Sequence, residues 1–561
     1  MHIPAALRFS FRPQLWASLK GYRRDDFAAD FGSGVTVALV ALPLAMAFAI
    51  ASGVRPEQGI VTAIVGGLIV SLLGGSKVQI AGPAGAFVAM LYAIAEKYGI
   101  ANLLIATMMA GVLLFVMGAF RMGTLVRFVP VSIVIGFTTG IAIIIALSQV
   151  RDLLGLEIAR MPSNFFSQVA VLWENLHSFN WIATIIGLSC VVMIVVWPAP
   201  RTAQPGNWRF LTAKLPSTVV VLSVSAFAVW ALELPVETIG TRFGELPRML
   251  PTPALPHFDW ATAQNLFAPT VAIAMLGAIE SLLCARVADG LIGARHDPNQ
   301  ELMAQGVANF VTPFFGGIAV TGTIARTMTN VRSGGRTPVA GIVHAVTLFL
   351  VLLALAPLAG HVPLAALAAV LMWVAFNMVG WRELRELRKF SIFYRTILLL
   401  TLALTVIFDL TVAVEVGLVL SSLFFIYRIS SLTKVEPIAL GGATRLADGR
   451  TVGAWRIFGS IFFGSVTKLE ALADPLRPLP DVVILEMHQL INFDTTGLDA
   501  LESLHATLAK RGGRLVLVHL NEQPLSLLKR SGVLDDIGRE NVFGDMRSAT
   551  AALGLGDPLT G

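Results

Sequence analysis

Residues 35–54 read VTVALVALPLAMAFAIASGV, a stretch of twenty residues without a charged side chain. A helix of about 20 apolar residues crosses the ~30 Å hydrocarbon core of a bilayer. Similar apolar stretches follow one another from residue 32 to residue 428. The pattern predicts a polytopic α-helical membrane domain with about fourteen spans, several of them short or interrupted by Gly and Pro, and such breaks need protein or a water cavity around them.

The composition of the whole chain conceals two different parts. Of the 561 residues, 55% are hydrophobic and 14% are charged, whereas soluble proteins carry about 25% charged residues. Charged residues are scarce in the first 430 residues, whereas the tail has an ordinary proportion of them. We therefore predict a cytoplasmic N-terminal segment at 1–30, a transmembrane domain at 31–432 and a soluble domain at 433–561.

Basic residues concentrate in alternate loops, and the clearest cluster is Arg382, Arg385, Arg388 and Lys389. Cytoplasmic loops carry an excess of Lys and Arg. With an even number of spans, this asymmetry predicts that the N-terminus and the C-terminal domain are both cytoplasmic.

The membrane part repeats itself. Short sequences recur in the same order in both halves: Thr36–Ala38 and Thr270–Ala272, Gly74–Gly75 and Gly316–Gly317, and Val129–Pro130 and Val362–Pro363. They predict two seven-span halves, and because seven is odd the second half is inverted. Inverted repeats place the substrate near the midplane, between interrupted helices.

The third and tenth spans have the character of half-helices. Short extended stretches, 77–80 and 318–320, precede small residues at 81–86 and 321–326. The N-terminus of a helix presents free N–H groups and partial positive charge, so two such ends facing each other would bind an anion. The alternative is that the glycines only allow close helix packing.

Two charged residues stand within apolar spans. Arg326 can complement the charge of an anion, or it can pair with an acid or reach the cytoplasmic surface. Glu280 can carry a proton or help to hold sodium, or it can make a structural hydrogen bond. Cys284 lies four residues later, on the same helix face as Glu280. His344, in another apolar span, is expected to be a hydrogen-bonded core residue.

At these residues the chain resembles the SulP (sulfate permease) family of anion transporters. The resemblance includes VTVALVALPLAMAFAIASGV at 35–54, GPAGAFV at 82–88, GAIESLLCARVADGLIGARHDPNQELMAQGVANFVTPFFGG at 277–317 and TGTIARTMTNVRSGGRTPVAG at 321–341. It implies a seven-plus-seven inverted repeat with core and gate domains, a homodimer, and ion coupling at Glu280. It also implies a substrate site formed by Pro43, Phe48, Ala84, Gly85, Ala86, Thr323, Ile324, Ala325 and Arg326.

Within the family, residues 43–54 and 274–290 most resemble bacterial dicarboxylate transporters of the DauA type. That resemblance implies proton-coupled uptake of succinate, fumarate or aspartate. Many relatives have Gln where this chain has Leu44, and the loss of that hydrogen-bond donor weakens the case for sulfate. Sulfate and sodium-coupled bicarbonate transport remain the alternatives.

The tail contains INFDTTGLDAL at 491–501. Residues 482–487 and 514–518 are predicted strands, and 498–508 is a predicted amphipathic helix. This α/β pattern resembles the STAS domain. In related anti-sigma-factor antagonists a hydroxyl residue at this helix start is phosphorylated, and Thr495 or Thr496 occupies that place. The alternative is that Asp494 or Thr495 only caps the helix.

The sequence therefore predicts a secondary active anion transporter of the bacterial inner membrane. It contains no Gly-rich phosphate-binding loop ending in Lys-Ser or Lys-Thr, so an ion gradient must supply the energy. We expect no catalytic site, no metal site apart from a sodium ion near Glu280, no cofactor and no nucleic acid partner. An anion channel, or a membrane sensor that signals through a protein partner of the STAS domain, is the alternative of another class.

Overall fold

The computed structural model describes residues 11–124, 130–158, 161–197, 216–254, 260–408, 410–440, 445–473 and 479–555. The chain divides into two compact units, residues 1–418 and 419–561. Residues 1–10 of the predicted N-terminal segment, and Val129 of the repeat, lie outside the described residues.

In its described residues, the first unit is helical apart from two very short strands. Its first half comprises α1 Gln14–Leu19, α2 Arg24–Ala51, α3 Pro56–Val61, a π-helical turn Thr62–Gly66, α4 Gly67–Leu73, β1 Ala81–Gly82, α5 Val88–Tyr98, α6 Ile100–Ala119, α7 Val131–Leu154, α8 Phe165–Glu174, α9 Trp181–Val196, α10 Ser217–Leu232 and α11 Ile239–Phe243.

The second half repeats the sequence of long helix, short strand and short helix. It comprises α12 Trp260–Asn265, α13 Phe267–Ile292, α14 Pro298–Val311, β2 Thr321–Gly322, α15 Ile324–Arg332, α16 Val339–Ala359, α17 Leu364–Met378, α18 Trp381–Arg385, α19 Ile392–Ile407 and α20 Leu410–Leu432. The boundary between the two units falls within α20.

Five helical segments in the described part are long and apolar enough to cross a membrane. They are α2, the continuous segment α3 to α4, α6, α7 and α13, and six shorter apolar helices accompany them. The number of fourteen spans stays a prediction, because length and composition alone do not assign the shorter helices.

The two interrupted spans have the predicted form. In each, a two-residue strand precedes a short helix, and β1 pairs with β2 in antiparallel register, Ala81 opposite Gly322 and Gly82 opposite Thr321. The paired residues follow the stretches 77–80 and 318–320 that the sequence indicated as extended. The chain halves are thus joined where the half-helices begin.

The second unit contains a six-stranded sheet. Its strands are β3 Lys434–Ile438, β4 Val452–Ile461, β5 Val482–Glu486, β6 Leu490–Phe493, β7 Arg514–Val518 and β8 Val542–Phe543. The order is β3-β4-β5-β7-β8, with β6 beside β4. All neighbours are parallel except β3 and β4.

Helices cover this sheet: α21 Thr467–Glu470, α22 Thr495–Ala509, α23 Glu522–Ser531, α24 Val533–Ile537 and α25 Met546–Ala552. Leu501 and Leu504 of α22 pack in one core cluster with Val483 and Leu485 of β5. The predicted strands at 482–487 and 514–518 are confirmed, and the predicted helix begins three residues earlier than expected because Asp494 caps it.

Candidate anion-binding site

The strand pair is fixed by hydrogen bonds between the two halves of the chain. The Thr323 N–H donates to the Ile80 carbonyl at 3.0 Å, and the Ile80 N–H donates to Thr327 Oγ1 at 3.0 Å. The Asn330 amide donates to the Val78 carbonyl at 2.8 Å. Residues before β1 are therefore bound to the first turns of α15.

Side chains from neighbouring helices satisfy the backbone around β2. Asn309 of α14 accepts from the Val320 N–H at 2.9 Å and donates to the Val320 carbonyl at 2.8 Å, as a neighbouring strand would. Thr62 of the π-helical turn accepts from the Ile318 N–H at 2.8 Å. Buried backbone groups need such partners, so these polar side chains allow extended backbone to lie deep inside a helical domain.

Neither half-helix is capped by its own first side chain. The Thr323 hydroxyl, which stands at the N-cap position of α15, donates instead to the Ile80 carbonyl at 3.1 Å. On the other side, the residue before the 3₁₀ turn Gly85–Phe87 is Ala84, which has no polar side chain. The first N–H groups of both half-helices therefore have no side-chain cap and can bind an anion.

The predicted substrate residues surround these two helix starts unequally. Ala84, Gly85 and Ala86 are buried, Thr323 is also buried, Ile324 is half-buried, and Ala325 is exposed. The α15 side of the strand pair is therefore the less buried one.

Of the two residues predicted on α2, one reaches this place. A Cβ on Gly85 would lie 3.2 Å from the Phe48 ring and 3.2 Å from Met378 Sδ, so Phe48 packs on the backbone of the half-helix start. Pro43 lines a different, apolar groove of about 430 Å³, together with Val219 of α10 and Val351 of α16.

Arg326 is fully buried, with 1% of its surface exposed. Its guanidinium lies against Gly82, where a Cβ would be 2.0 Å from Nη1. Neither Nη1 nor Nη2 has a hydrogen-bond partner, and no acid within the described ranges forms an ion pair with Arg326. Among the described residues, Arg326 therefore neither pairs with an acid nor reaches the surface, which were the two alternatives to a role at the anion site.

A second polar side chain, which sequence reasoning missed, occupies the corresponding place on the other strand. A Cβ on Gly322 would lie 1.8 Å from Gln79 Nε2. Gln79 is 4% exposed and has no described partner for either atom of its amide. Each strand glycine therefore makes room for a polar side chain from the opposite half of the chain.

Glu280 lies on the face of α13 that packs against this assembly. One turn before it, the Gly277 carbonyl accepts from Thr321 Oγ1 at 3.1 Å. One turn after it, the Cys284 thiol donates to Thr327 Oγ1 at 3.2 Å. Residues three and four apart share a helix face, so Glu280 faces β2 and α15. The structure also gives Cys284 a hydrogen-bonding role in packing.

Glu280 Oε1 is buried without a hydrogen-bond partner from the described chain. A carboxylate oxygen in this state can accept a proton or contribute to a cation site. The structure shows no group of three or more His, Cys, Asp or Glu side chains that could hold a metal within its described residues.

The expectation for His344 was wrong. The side chain is completely buried, but neither ring nitrogen has a partner among the residues that the structure places. Its Cε1 would be 3.8 Å from a Cβ on Gly67, and that Cβ would be 3.0 Å from the Ala81 carbonyl. His344 is therefore part of the surroundings of β1, which the apolar pattern of its helix did not indicate.

A large polar cavity of about 1130 Å³ lies where α2, α5 and α7 end. Its charged lining residues are Glu96, Arg151, Asp152, Glu157, Glu237 and Arg242. Arg242 pairs with Asp152 at 2.9 Å. The lining residues are scattered in the sequence, so no motif indicated this cavity.

In the second unit, Asp494 caps α22. Its Oδ1 accepts from the Gly497 N–H at 2.9 Å, and its Oδ2 accepts from the Phe463 N–H at 3.3 Å. The capping interpretation is therefore confirmed for Asp494. Thr495 is exposed and Thr496 is half-buried, and a regulatory role for either stays a prediction.

Comparison with known families supports this description of both units. Residues 27–401 match the sulfate permease family, and residues 449–549 match the STAS domain.

Two relatives resemble most of the chain. A putative sulfate transporter of Bacillus subtilis, YvdB, is 40% identical over 538 residues, which are 96% of this chain and 98% of the relative. The bicarbonate transporter BicA of Picosynechococcus is 31% identical over 425 residues, 74% of this chain and 73% of the relative.

Solved structures share the fold. The murine Solute Carrier 26 family member A9 anion transporter, in an inward-facing state, superposes with a TM-score of 0.84 at 19% identity, covering 97% of this chain and 94% of that chain. The transmembrane domain of a cyanobacterial BicA superposes with a TM-score of 0.61 at 29% identity, covering 72% of this chain and 98% of that domain.

Proposed function

The chain belongs to the sulfate permease family and is a membrane-embedded anion transporter with a C-terminal STAS domain, and from this premise we propose that it is a secondary active importer. It binds a small anion between the starts of the two half-helices that follow β1 and β2. The observation that carries the proposal is the pair of uncapped helix starts, joined by β1 and β2, with the unpaired guanidinium of Arg326 directly behind Gly82.

The electrostatics of this place favour an anion strongly. Each helix start contributes a partial positive charge, and Arg326 adds a full charge that no described acid neutralises. A buried and unpaired charge is costly, and a bound anion would offset that cost. Arg326 acts through its field, because its side chain lies under Gly82 and away from the exposed Ala325.

Transport follows from rocking of one repeat domain against the other. In such a mechanism the site alternates between the two sides of the membrane while its own geometry stays fixed. The hydrogen bonds from the Ile80 N–H to Thr327 and from the Asn330 amide to the Val78 carbonyl keep the two half-helices together during this motion.

Energy coupling is assigned to Glu280. It faces β2 and α15 from α13, and its Oε1 is buried without a described partner. We propose a proton as the coupling ion, with sodium as the alternative, since a carboxylate serves both. Neutralising Glu280 next to the site would let the loaded carrier move without a buried negative charge.

For the substrate we propose a four-carbon dicarboxylate such as succinate, fumarate or aspartate. Phe48 of α2 packs on the half-helix start at Gly85, and its apolar ring suits the carbon chain of a dicarboxylate. Leu44 lacks a side-chain donor for a hydrogen bond to sulfate. Sulfate and bicarbonate are the second candidates, favoured by the names of the relatives, a putative sulfate transporter and a bicarbonate transporter.

The cellular setting completes the proposal. We propose a bacterial inner-membrane protein with both termini cytoplasmic, acting as a homodimer, with a STAS domain that can receive a cytoplasmic protein partner.

Counterflow in proteoliposomes tests the substrate. Vesicles loaded with unlabelled succinate should take up labelled succinate, and excess sulfate or bicarbonate outside should leave that uptake unchanged. Counterflow with sulfate or bicarbonate, but not with succinate, would reject the dicarboxylate and keep the site. Loss of counterflow on Arg326→Gln, with the protein still folded, is expected for every substrate.

An anion channel cannot accumulate the anion beyond the level at which the anion's own electrochemical gradient is zero. A sensor would bind the anion without transporting it. Accumulation of label above that limit separates the proposed importer from both.

A further inference from the structure

A buried histidine, His344, lies in the surroundings of the anion site, and the proposed function does not use it. His344 is fully buried on α16, and both its ring nitrogens lack partners in the described part of the chain. Buried polar groups are hydrogen-bonded in the great majority of cases, and exceptions call for an explanation. Here two neighbouring side chains, His344 and Arg326, are both exceptions.

The geometry brings His344 and Arg326 to the surroundings of β1. A Cβ on Gly67 would lie 3.8 Å from His344 Cε1 and 3.0 Å from the Ala81 carbonyl oxygen, and a Cβ on Gly82 would lie 2.0 Å from Arg326 Nη1. Gly82 also faces Ala63, where a Cβ would be 3.6 Å from the Ala63 Cα. Ala63 belongs to the π-helical turn, a distortion often found at functional sites.

The helix α16 packs against α2, the π-helical turn and α4. Residues 62–73 of the turn and α4 contain no titratable side chain, nor do residues 31–51 of α2 or any residue of α16 apart from His344. The first turns of α2 carry Asp25, Asp26 and Asp30, and the buried Asp30 already accepts from the Thr337 hydroxyl and from the N–H groups of Arg336 and Thr337. No acid of the described chain is bonded to the imidazole.

We propose that His344 takes up a proton when an anion binds at the half-helix starts, so that the anion and the proton bind cooperatively. This inference rests on the proposed function, because it needs an anion beside Arg326. Without an anion, a charged His344 and Arg326 would repel each other inside a medium of low dielectric constant. A bound anion supplies the missing counter-charge and stabilises both.

Reciprocity makes the proposal measurable. If an anion favours protonation of His344, then protonation of His344 raises the affinity for the anion by the same factor. Histidine is the side chain that changes charge between about pH 5 and 8. The role differs from that of Glu280, which we assign to driving accumulation.

The test is isothermal titration of the whole purified transporter with succinate, sulfate and bicarbonate at about pH 6 and about pH 8, in buffers with different heats of ionisation. We expect wild type to bind one of these anions about tenfold more tightly at the lower pH and to take up a fraction of a proton per anion.

Three variants assign the proton. His344→Gln and His344→Asn should bind at both pH values with the affinity that wild type has at the higher one, and without the proton uptake of wild type. Glu280→Gln, which removes the coupling carboxylate, should lose only the fraction of a proton that this carboxylate takes up, and should keep the tighter binding at the lower pH that the His344 variants lack. His361→Gln, at an exposed histidine beyond α16, should match wild type.

The outcomes distinguish a failure of the inference about His344 from a failure of the proposed function. If wild type binds an anion with the same affinity at both pH values and no proton uptake, or if the His344 variants keep the pH dependence, the inference fails and the proposed function stands. If Glu280→Gln alone removes the proton uptake, the inference also fails. If wild type binds none of the three anions at either pH, the proposed site itself is wrong. The wild-type and Glu280→Gln measurements decide the matter even where the His344 variants do not fold.

Discussion

Thr327→Val should weaken the strand pair without removing it. The Thr327 hydroxyl accepts from the Ile80 N–H at 3.0 Å and from the Cys284 thiol at 3.2 Å. Valine keeps the shape of the side chain but accepts neither bond. Ile80 and Thr327 are each 1% exposed, so water cannot replace the lost acceptor.

The size of the effect follows from the group left without a partner. A buried N–H that loses its acceptor costs about 1–3 kcal/mol, and the thiol is a weak donor that adds little. Two other bonds, from Thr323 to the Ile80 carbonyl and from Asn330 to the Val78 carbonyl, remain. We expect the free energy of unfolding to fall by about 1–3 kcal/mol, with a weaker affinity for the anion.

Denaturant unfolding in mixed micelles measures the stability, and titration with the anion measures the affinity. Thr329→Val is the matched control on the same helix, because the Thr329 hydroxyl only bonds back to the Ala325 carbonyl. It should change stability by no more than about 0.5 kcal/mol. If the two variants lose the same free energy, Thr327 does not hold the half-helices together and the reasoning is wrong.

Three further outcomes are expected. Arg326→Met should raise the apparent melting temperature, because it removes a buried and unpaired charge. The same substitution should weaken anion binding by at least about tenfold. A less stable variant that binds the anion normally would contradict this expectation. Lys468→Met should lower the free energy of unfolding of the second unit by about 1–3 kcal/mol. The reason is that the Lys468 ammonium donates to the Ser430 and Thr433 carbonyls at the end of α20. Lys529→Met is the control. Hydrogen bonds from the Thr451 N–H and hydroxyl hold the pKa of Asp481 below its usual range. This carboxylate therefore stabilises the STAS domain at pH values above its unfolded pKa of about 3.9, and the stabilisation is lost as pH falls through the folded pKa. Asp481→Asn should make the free energy of unfolding depend less on pH in the acid range, and an unchanged dependence would refute this link.

The backbone of the site was predictable because it follows from local sequence. Glycines, an early proline and short extended stretches at two equivalent places indicated half-helices, and the structure has them. In the second unit, the alternation of buried strands with an amphipathic helix was likewise sufficient to predict β5, α22 and β7.

The side chains around the site were less predictable, because their roles depend on contacts between distant parts of the chain. Gln79 looked like part of an extended stretch, and its position on Gly322 depends on the crossing of the two halves. His344 sits in an apolar helix, where a hydrogen-bonded core histidine is the ordinary expectation. Pro43 was assigned by resemblance to the substrate site. The structure shows it in the lining of an apolar groove, and its part in the substrate site stays a prediction.

The most direct test of the central claim is uptake of labelled succinate into proteoliposomes driven by an inward proton gradient, with wild type and Glu280→Gln in parallel. We predict that wild type accumulates succinate above its equilibrium level, and that Glu280→Gln keeps exchange but loses accumulation. Accumulation by Glu280→Gln equal to that of wild type would contradict the account, because the carboxylate that faces β2 and α15 would then have no part in coupling.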